Sequence, residues 1–251
     1  MGNITQQDLL LALKRCESEP IHQLGLIQPH GALVVFELAP GRRVLQVSTN
    51  IECFFGKSPD EAVAGSLQDL LGEDQTLEIV GMLERKAGEF CPSRLLYSVV
   101  DEEILELQIN VHRQGEVGIL ELEPINHAYQ LRDVQDLLEP LMKALWSLDA
   151  RLDINAYCSM VADLVRSLLA FERVMIYRFD DNWDGEVLAE SLAEGAASYL
   201  GNRFPAGDIP PQARALYTRN LLRVVNDVNA KPLALIPAVN PLSGQPVDLS
   251  L

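Results

Sequence analysis

The residues with the most chemical capacity lie near the two ends of the chain. Close to the start, CESEPIHQLGLIQPHG (Cys16–Gly31) sets a lone thiol ahead of Pro-Ile-His and then Gln-Pro-His-Gly. A thiol becomes a nucleophile once deprotonated, and no second cysteine is near enough in sequence for a local bridge. Neither half of this stretch reads as helix. Towards the other end, YLGNRFPAGDIPPQARALYTRNLLRVV spans residues 199–225. Pro205, Pro210 and Pro211 constrain the backbone around Gly207-Asp208-Ile209, so the turn is expected to be non-helical. From Gln212 onward the run is free to be helical, and it carries Arg214, Arg219 and Arg223 with Tyr217 among them. A rigid turn holding an acid, beside a helix projecting arginines, suits a ligand with polar nitrogens and carboxylates. A surface helix with solvated basic residues explains the same spacing equally well, so both readings stand.

Other motifs carry less. DDNWDG (Asp180–Gly185) matches the first half of a calcium loop, but the twelfth position is Ser191 instead of glutamate and the flanks read as strands. A hairpin turn is the better account. The four histidines (22, 30, 112 and 127) are too scattered for a metal cluster, and the cysteines at 16, 53, 91 and 158 fit no zinc spacing. No metal site is expected. Cys53, Cys91 and Cys158 read as free thiols in or near a core. Without a nucleophile elbow, phosphate loop or kinase signature, no catalytic residue is expected; the segment reads as a binding module and not as an enzyme.

The bulk numbers agree. At 251 residues with 48% hydrophobic content, one large domain or two ordinary ones can be built. A net charge of −16 repels nucleic-acid backbones and anionic membrane surfaces. No apolar run approaches the roughly 20 residues a membrane span needs. The N-terminus lacks signal-peptide and myristoylation patterns, leaving a cytoplasmic protein as the expectation.

These residues need elements to hold them. TQQDLLLALK (5–14) is a short helix candidate capped by Thr5. ALVVFELAPGRRVLQVSTN reads as a hairpin around Pro40-Gly41. KSPDEAVAG starts a helix at the Ser58 cap with Pro59 first, and DQTLEIVGMLERKAGEF is another helix. Strands follow in SRLLYSVV, EILELQINVH and EVGILELEPI; in the middle one Leu105, Leu107, Ile109 and Val111 alternate with polar residues. Leu131, Val134, Leu138, Leu141, Leu145 and Leu148 then recur at helical spacing. A break follows, and Asp153 caps a second helix through Val161, Val165 and Leu168. The first of these helices is compatible with a dimer bundle and equally with ordinary core packing. RVMIYRF and EVLAESL flank the DDNWDG turn as strands. The Pro-rich ending KPLALIPAVNPLSGQPVDLSL has no period.

Three stretches taken together resemble the bacteriophytochrome branch of the phytochrome family: LIQPHGALVVF, then ERVMIYRFDDNWDGEVLAE, then LGNRFPAGDIPPQARALYTRN. The motifs are long, stand in family order, and the resemblance covers nearly the whole chain. It implies an α+β chain: a PAS domain, an antiparallel sheet with short helices, followed by a GAF domain, an antiparallel sheet flanked by helices. It implies an N-terminal chromophore-attachment segment at 1–30, the PAS domain at 31–125 and the GAF domain at 126–251. It further implies a figure-of-eight knot in which the N-terminal segment, with Ile27, threads a GAF loop running from Asp227 to about Asp248.

The function so implied is red/far-red photoreception by a linear tetrapyrrole, biliverdin, joined through a thioether to Cys16. Asp208 would offer its main-chain carbonyl to the pyrrole nitrogens, which are costly to bury unpaired. Ile209 would pack on a ring face, Arg223 would hold a propionate, and Tyr177, Met175, Phe204 and Tyr217 would line the pocket. Gly207 replaces the family's usual serine, and Asn202 stands where bacterial relatives often carry histidine. A homodimer, with a downstream histidine kinase and response regulator, is implied for full-length relatives. Two pocket histidines, the PHY domain and the kinase would lie beyond Leu251, so a piece of a longer protein is the expectation. The alternative is a PAS–GAF interaction or dimerisation module without chromophore.

Overall fold

A computed structural model describes residues 15–16, 18–84, 94–125, 134–147, 153–220 and 222–250. The helix expected at 5–14, Cys91 and His127 lie outside the described residues. The chain divides into two units: a larger one of residues 19–126 and 215–251, and a smaller one of residues 1–18 and 127–214. Each is built from two separate stretches of sequence. No helix among the described residues is long and apolar enough to cross a membrane.

The larger unit carries strands β1 (Leu26–Ile27), β2 (Ala32–Glu37), β3 (Val44–Ser48), β4 (Arg94–Val100), β5 (Glu103–Gln114), β6 (Val117–Pro124) and β10 (Leu233–Ile236). They form one sheet in the order β1-β10-β3-β2-β6-β5-β4, with every neighbouring pair antiparallel. β2 and β3 are the expected hairpin, with Val34 opposite Val47 and a bulge between Val35 and Phe36. Both sheet faces are covered. On one, Val34, Phe36, Leu107, Ile109 and Leu120 pack with Phe54, Leu67 and Ile79 from the helices. On the other, Leu33, Val35, Leu45 and Ile119 pack with Leu235 and Val247 from the C-terminal stretch. This double burial explains why ALVVFE is continuously apolar instead of alternating. Gly118 is required where it stands, because a Cβ there would lie 2.3 Å from the Phe36 ring.

The helices α1 (Glu52–Phe55), α2 (Pro59–Val63), α3 (Leu67–Leu71) and α4 (Glu73–Leu83) lie between β3 and β4 in sequence. α2 begins as expected: the Ser58 hydroxyl accepts from the Glu61 amide, and the Glu61 carboxylate accepts from the Ser58 amide. Ser66 and Asp69 repeat this box at α3. Cys53, expected in or near a core, is exposed on α1; this four-residue helix turns its Phe54 inward instead. At the sheet's edge, Gln75 of α4 fills the role of a missing strand. Its Oε1 accepts from the Tyr97 amide at 3.2 Å, and its Nε2 donates to the Tyr97 carbonyl at 3.1 Å.

The aperiodic ending is ordered by side chains reaching it from the sheet and the N-terminal segment. Gln46 Nε2 donates to the Pro237 carbonyl at 2.8 Å, and Gln114 Nε2 to the Asp248 carbonyl at 3.0 Å. The Asn226 amide donates to Gln28 Oε1 and the Leu249 amide to the His22 carbonyl.

The smaller unit contains α5 (Val134–Ser147), α6 (Ile154–Leu169), β7 (Arg173–Phe179), β8 (Gly185–Leu192), β9 (Arg203–Phe204) and α7 (Pro211–Tyr217), the last of which runs on past Arg214 into the other unit. Asp153 caps α6 as expected, its Oδ1 accepting from the Ala156 amide at 2.8 Å. Cys158 and Ala162 of α6 are buried, and β8 alternates with Val187, Ala189 and Ser191 buried. The sheet order is β7-β8-β9, antiparallel throughout. The α+β expectation therefore holds in both units.

Two local expectations are corrected. The stretch at 205–210 is not free of helix: Ala206–Asp208 forms one 3₁₀ turn. Pro205 stands at its N-terminal flank and supplies only a carbonyl, which accepts from the Asp208 amide at 3.0 Å; its missing N–H costs nothing there. The helix after Gln212 ends at Tyr217, so Arg219 and Arg223 lie beyond it.

Candidate functional site

In the smaller unit, the site grows from the β7–β8 hairpin. The turn is held by Asp180, whose Oδ1 accepts from the Asn182 amide at 2.9 Å and the Asp184 amide at 3.1 Å. Its Oδ2 receives Arg203 at 2.6 Å. Asp180 is thus engaged in closing the turn and in an ion pair, as the hairpin reading requires. Beside it, Tyr177, Phe179 and Phe204 gather, with ring centroids 5.3 Å apart for Tyr177–Phe179 and 6.1 Å for Tyr177–Phe204. The Tyr177 ring lies over Gly185, where a Cβ would approach it to 1.8 Å. Two of the expected pocket residues therefore form one aromatic group, and Gly185 is what admits Tyr177. Met175, on the same strand, is 42% exposed.

The Asp208 turn is fastened to the same hairpin. Asp184 Oδ1 accepts from the Ala206 amide at 2.9 Å. One nitrogen of Arg214 donates to two carbonyls, those of Ala206 at 2.9 Å and Ile209 at 2.7 Å. The same guanidinium lies 4.8 Å from the Trp183 ring centroid. Arg214 is therefore occupied with main-chain groups and is not projected toward a ligand carboxylate, which corrects the sequence reading of that residue. Asp208 itself is exposed and Ile209 half-buried.

Cys16 is a free, exposed thiol. Its carbonyl accepts from Gln212 Nε2 in the first turn of α7. That contact sets the thiol-bearing residue beside the helix that directly follows Asp208 and Ile209, across nearly two hundred residues of sequence. Gln212 Oε1 is buried with no partner among the described residues, an acceptor that a ligand with N–H donors would satisfy. Nearby in sequence, Glu190 accepts from the Ser198 hydroxyl and the Tyr199 and Leu200 amides. The Ser198 bond, more than these amides, holds its carboxyl below the usual range.

Tyr217 and Arg223 belong to the larger unit, where both are exposed. Arg223 lines a cavity of about 630 Å³ together with Asn220, His30, His112, Glu121 and Glu123. Burial, and then the neighbouring Glu123, raises the Glu121 carboxyl above its ordinary range. Burial lowers His112, with Asp248 acting in the opposite sense. His30 Nε2 is 3.4 Å from Glu123.

Sequence patterns do not single out Trp183, and they give no sign that Asp184 and Arg214 bond to the main chain of the 205–210 turn. For Trp183 and Asp184 the sequence signal is the unusual DDNWDG turn, whose oxygen atoms suggest a calcium loop.

Comparison with known proteins supplies independent findings. Residues 16–125 match a family model described as a PAS fold. The chain is 35% identical over 238 residues to cyanobacterial phytochrome B of Nostoc sp., covering 95% of this chain and 31% of that protein. It is 37% identical over 241 residues to a bacteriophytochrome of Pseudomonas aeruginosa, covering 96% of this chain and 32% of that one. The chain thus spans about a third of the length of these curated relatives. Among solved structures, the chromophore-binding domain of the bacteriophytochrome RpBphP3 from R. palustris superposes with a TM-score of 0.81 at 32% identity, covering 94% of this chain and 75% of that one. The chromophore-binding domain of Stigmatella aurantiaca phytochrome P1 gives a TM-score of 0.80 at 33% identity, with 94% and 76% covered.

Proposed function

The chain belongs to the phytochrome family, and from that premise we propose that it is a photosensory PAS–GAF module holding biliverdin through a thioether at Cys16. When bound, the tetrapyrrole supplies red and far-red absorption and an isomerisable methine bond. The observation that supports the reading is the Gln212–Cys16 hydrogen bond, which joins the main chain of the thiol-bearing residue to the helix that follows the Asp208 turn. The unpartnered Gln212 Oε1 and the aromatic group around Tyr177 fit a planar ligand rich in N–H donors.

The residues divide the work. Cys16 tethers, and Asp208 offers acceptors to buried pyrrole N–H groups. Ile209, Met175, Phe204 and Tyr217 supply apolar surface, Tyr177 flanks the isomerising end, and Arg223 pairs with a propionate. The domain limits proposed are 1–30 for the attachment segment, 31–125 for PAS and 126–251 for GAF, the last including the stretch 215–251 that packs within the larger unit. A knot, with residues near Ile27 threading the stretch from Asp227 to Asp248, accords with β10 standing between β1 and β3. A cytoplasmic homodimer signalling to a histidine kinase and its response regulator completes the proposal. Leu138, Leu141, Met142 and Trp146, exposed on α5, suit the dimer.

Co-expression with a heme oxygenase followed by a zinc-stained denaturing gel tests the core of this reading. A fluorescent band is expected from the wild-type chain and none from Cys16→Ser. Wild-type protein without a band, or a band that survives the substitution, would refute attachment at Cys16. A wild-type chain without a band would leave the alternative, an interaction module without chromophore, whereas a surviving band would move the attachment to another residue.

A further inference from the structure

We infer that Arg214, with Trp183 and Asp184, forms a clamp that sets the conformation of the Asp208 turn, making Arg214 a positioning residue for the chromophore site; its bearing on the chromophore rests on the function proposed above.

The geometry is specific. The Ala206 and Ile209 carbonyls bracket Asp208 in sequence, and a single guanidinium nitrogen donates to both, at 2.9 Å and 2.7 Å. Joining two carbonyls three residues apart through one donor closes the turn from its open side. The remaining backbone contacts close it from within and from the hairpin: Asp208 amide to Pro205 carbonyl at 3.0 Å, and Ala206 amide to Asp184 Oδ1 at 2.9 Å. The guanidinium carbon lies over the Trp183 ring, 4.8 Å from its centroid, and Trp183 is held at φ 68°, a region that bulky side chains seldom adopt. That backbone conformation is fixed in turn by Asp180, whose carbonyl accepts from the Trp183 amide at 2.9 Å and whose Oδ1 accepts from the amides on either side. The hairpin turn that imitates a calcium loop thus has another use: its indole and one carboxylate fasten a second turn.

Arginine is needed for this. A planar cation can stack on an indole and donate at the same time, whereas an ammonium is a point charge without a face. The prolines on either side limit the turn's φ angles but provide no N–H groups of their own, so fixing it falls to a side chain. A turn held by main-chain carbonyls keeps its shape whether or not a ligand is present, which is preorganisation.

Amide hydrogen exchange on the 251-residue chain, alone and after biliverdin addition, tests the clamp. In Arg214→Ala and Arg214→Lys, exchange at Ala206 and Asp208 is expected to rise by about tenfold or more, as for loss of charge-assisted hydrogen bonds. Asp184→Ala is expected to raise exchange at Ala206. The amides of β2 and β6 are expected to be unchanged in all three, showing that the chain stays folded. Because the lysine variant retains the charge, a change in it isolates the contact of the guanidinium with the indole. In the biliverdin-loaded protein, the pH profile of the long-wavelength absorbance is expected to shift in Arg214→Lys. Unchanged exchange at Ala206 and Asp208 in both Arg214 variants would overturn the clamp. Faster exchange with an unmoved pH profile would overturn the positioning role. A wild-type chain that takes up no biliverdin would remove the functional reading, and the exchange arm alone would then decide the clamp.

Discussion

At the scale of single residues, the smaller unit depends on one absence. Gly185 has no side chain where the Tyr177 ring lies, and a Cβ would stand 1.8 Å from it. Gly185→Ala is expected to push the ring out of its packing with Phe179 and Phe204. The cost should be about 1–3 kcal/mol, as for overpacked sites, with a weaker near-ultraviolet circular dichroism signal. In Tyr177→Ala the added methyl has no ring to meet, so the double variant should be far less than additive; additive losses in urea unfolding would disprove the contact. A second residue governs acid response in the larger unit. Burial lowers His112 below its usual 6.5, so the folded state binds fewer protons than the unfolded state between the two values. Stability from this group is therefore full above about pH 6.5 and falls as pH drops toward the folded value. Glu121 is raised above its usual 4.5 and acts the other way, losing stability as pH rises from about 4.5 through its folded value. Urea midpoints between about pH 7.5 and 5.5 should fall less steeply in His112→Gln than in wild type. Equal slopes would exclude His112 as a contributor.

At the scale of elements, the periodic ones were legible and the brief ones were not. The β2–β3 hairpin, the capped start of α2, the alternating β5 and the Asp153 cap each carry a local pattern in the chain. β1, of two residues, and β10, of four, are too short to show a period. Their pairing with each other and with β3 comes from partners far off in sequence, as do the Gln46 and Gln114 bonds that order the tail. The candidate site divides in the same way. Its proline-bounded turn and its aromatic strand stood out as motifs, but the acceptors of Arg214 are main-chain carbonyls, which leave no mark on the sequence. The edge of the sheet is another such case. Gln75 satisfies both main-chain polar groups of Tyr97 on β4, the last strand, and so blocks a place where a second chain could pair. Gln75→Ala should cost about 1–2 kcal/mol and promote concentration-dependent association detectable by light scattering. A destabilised variant that associates no further than the wild type would show that Gln75 only fastens α4 and does not guard the edge.

At the scale of the whole molecule, sequence order and unit membership diverge. The larger unit includes residues 215–251, which follow the stretch of the smaller one in sequence. Leu235 and Val247 cover the face formed by Leu33, Val35, Leu45, Val117 and Ile119. Burying the two side chains contributes on the order of 3–6 kcal/mol, a large share of the 5–15 kcal/mol typical of a domain. A fragment of residues 19–126 would retain β2 to β6 and α1 to α4 yet leave that face bare. It is expected to bind a hydrophobic dye, to self-associate, and to unfold at markedly lower urea than the full chain. Joining residues 215–251 to it through a flexible linker should restore a monomer and most of the lost stability, because β10 and Val247 would return without the smaller unit. If the bare fragment is instead monomeric, dye-free and as stable as the linked form, the returning stretch is an appendage and residues 19–126 complete their own core. Restoration by the linked stretch would mean that any change moving residues 215–232, Arg223 among them, acts directly on the stability of the sheet to which that stretch returns.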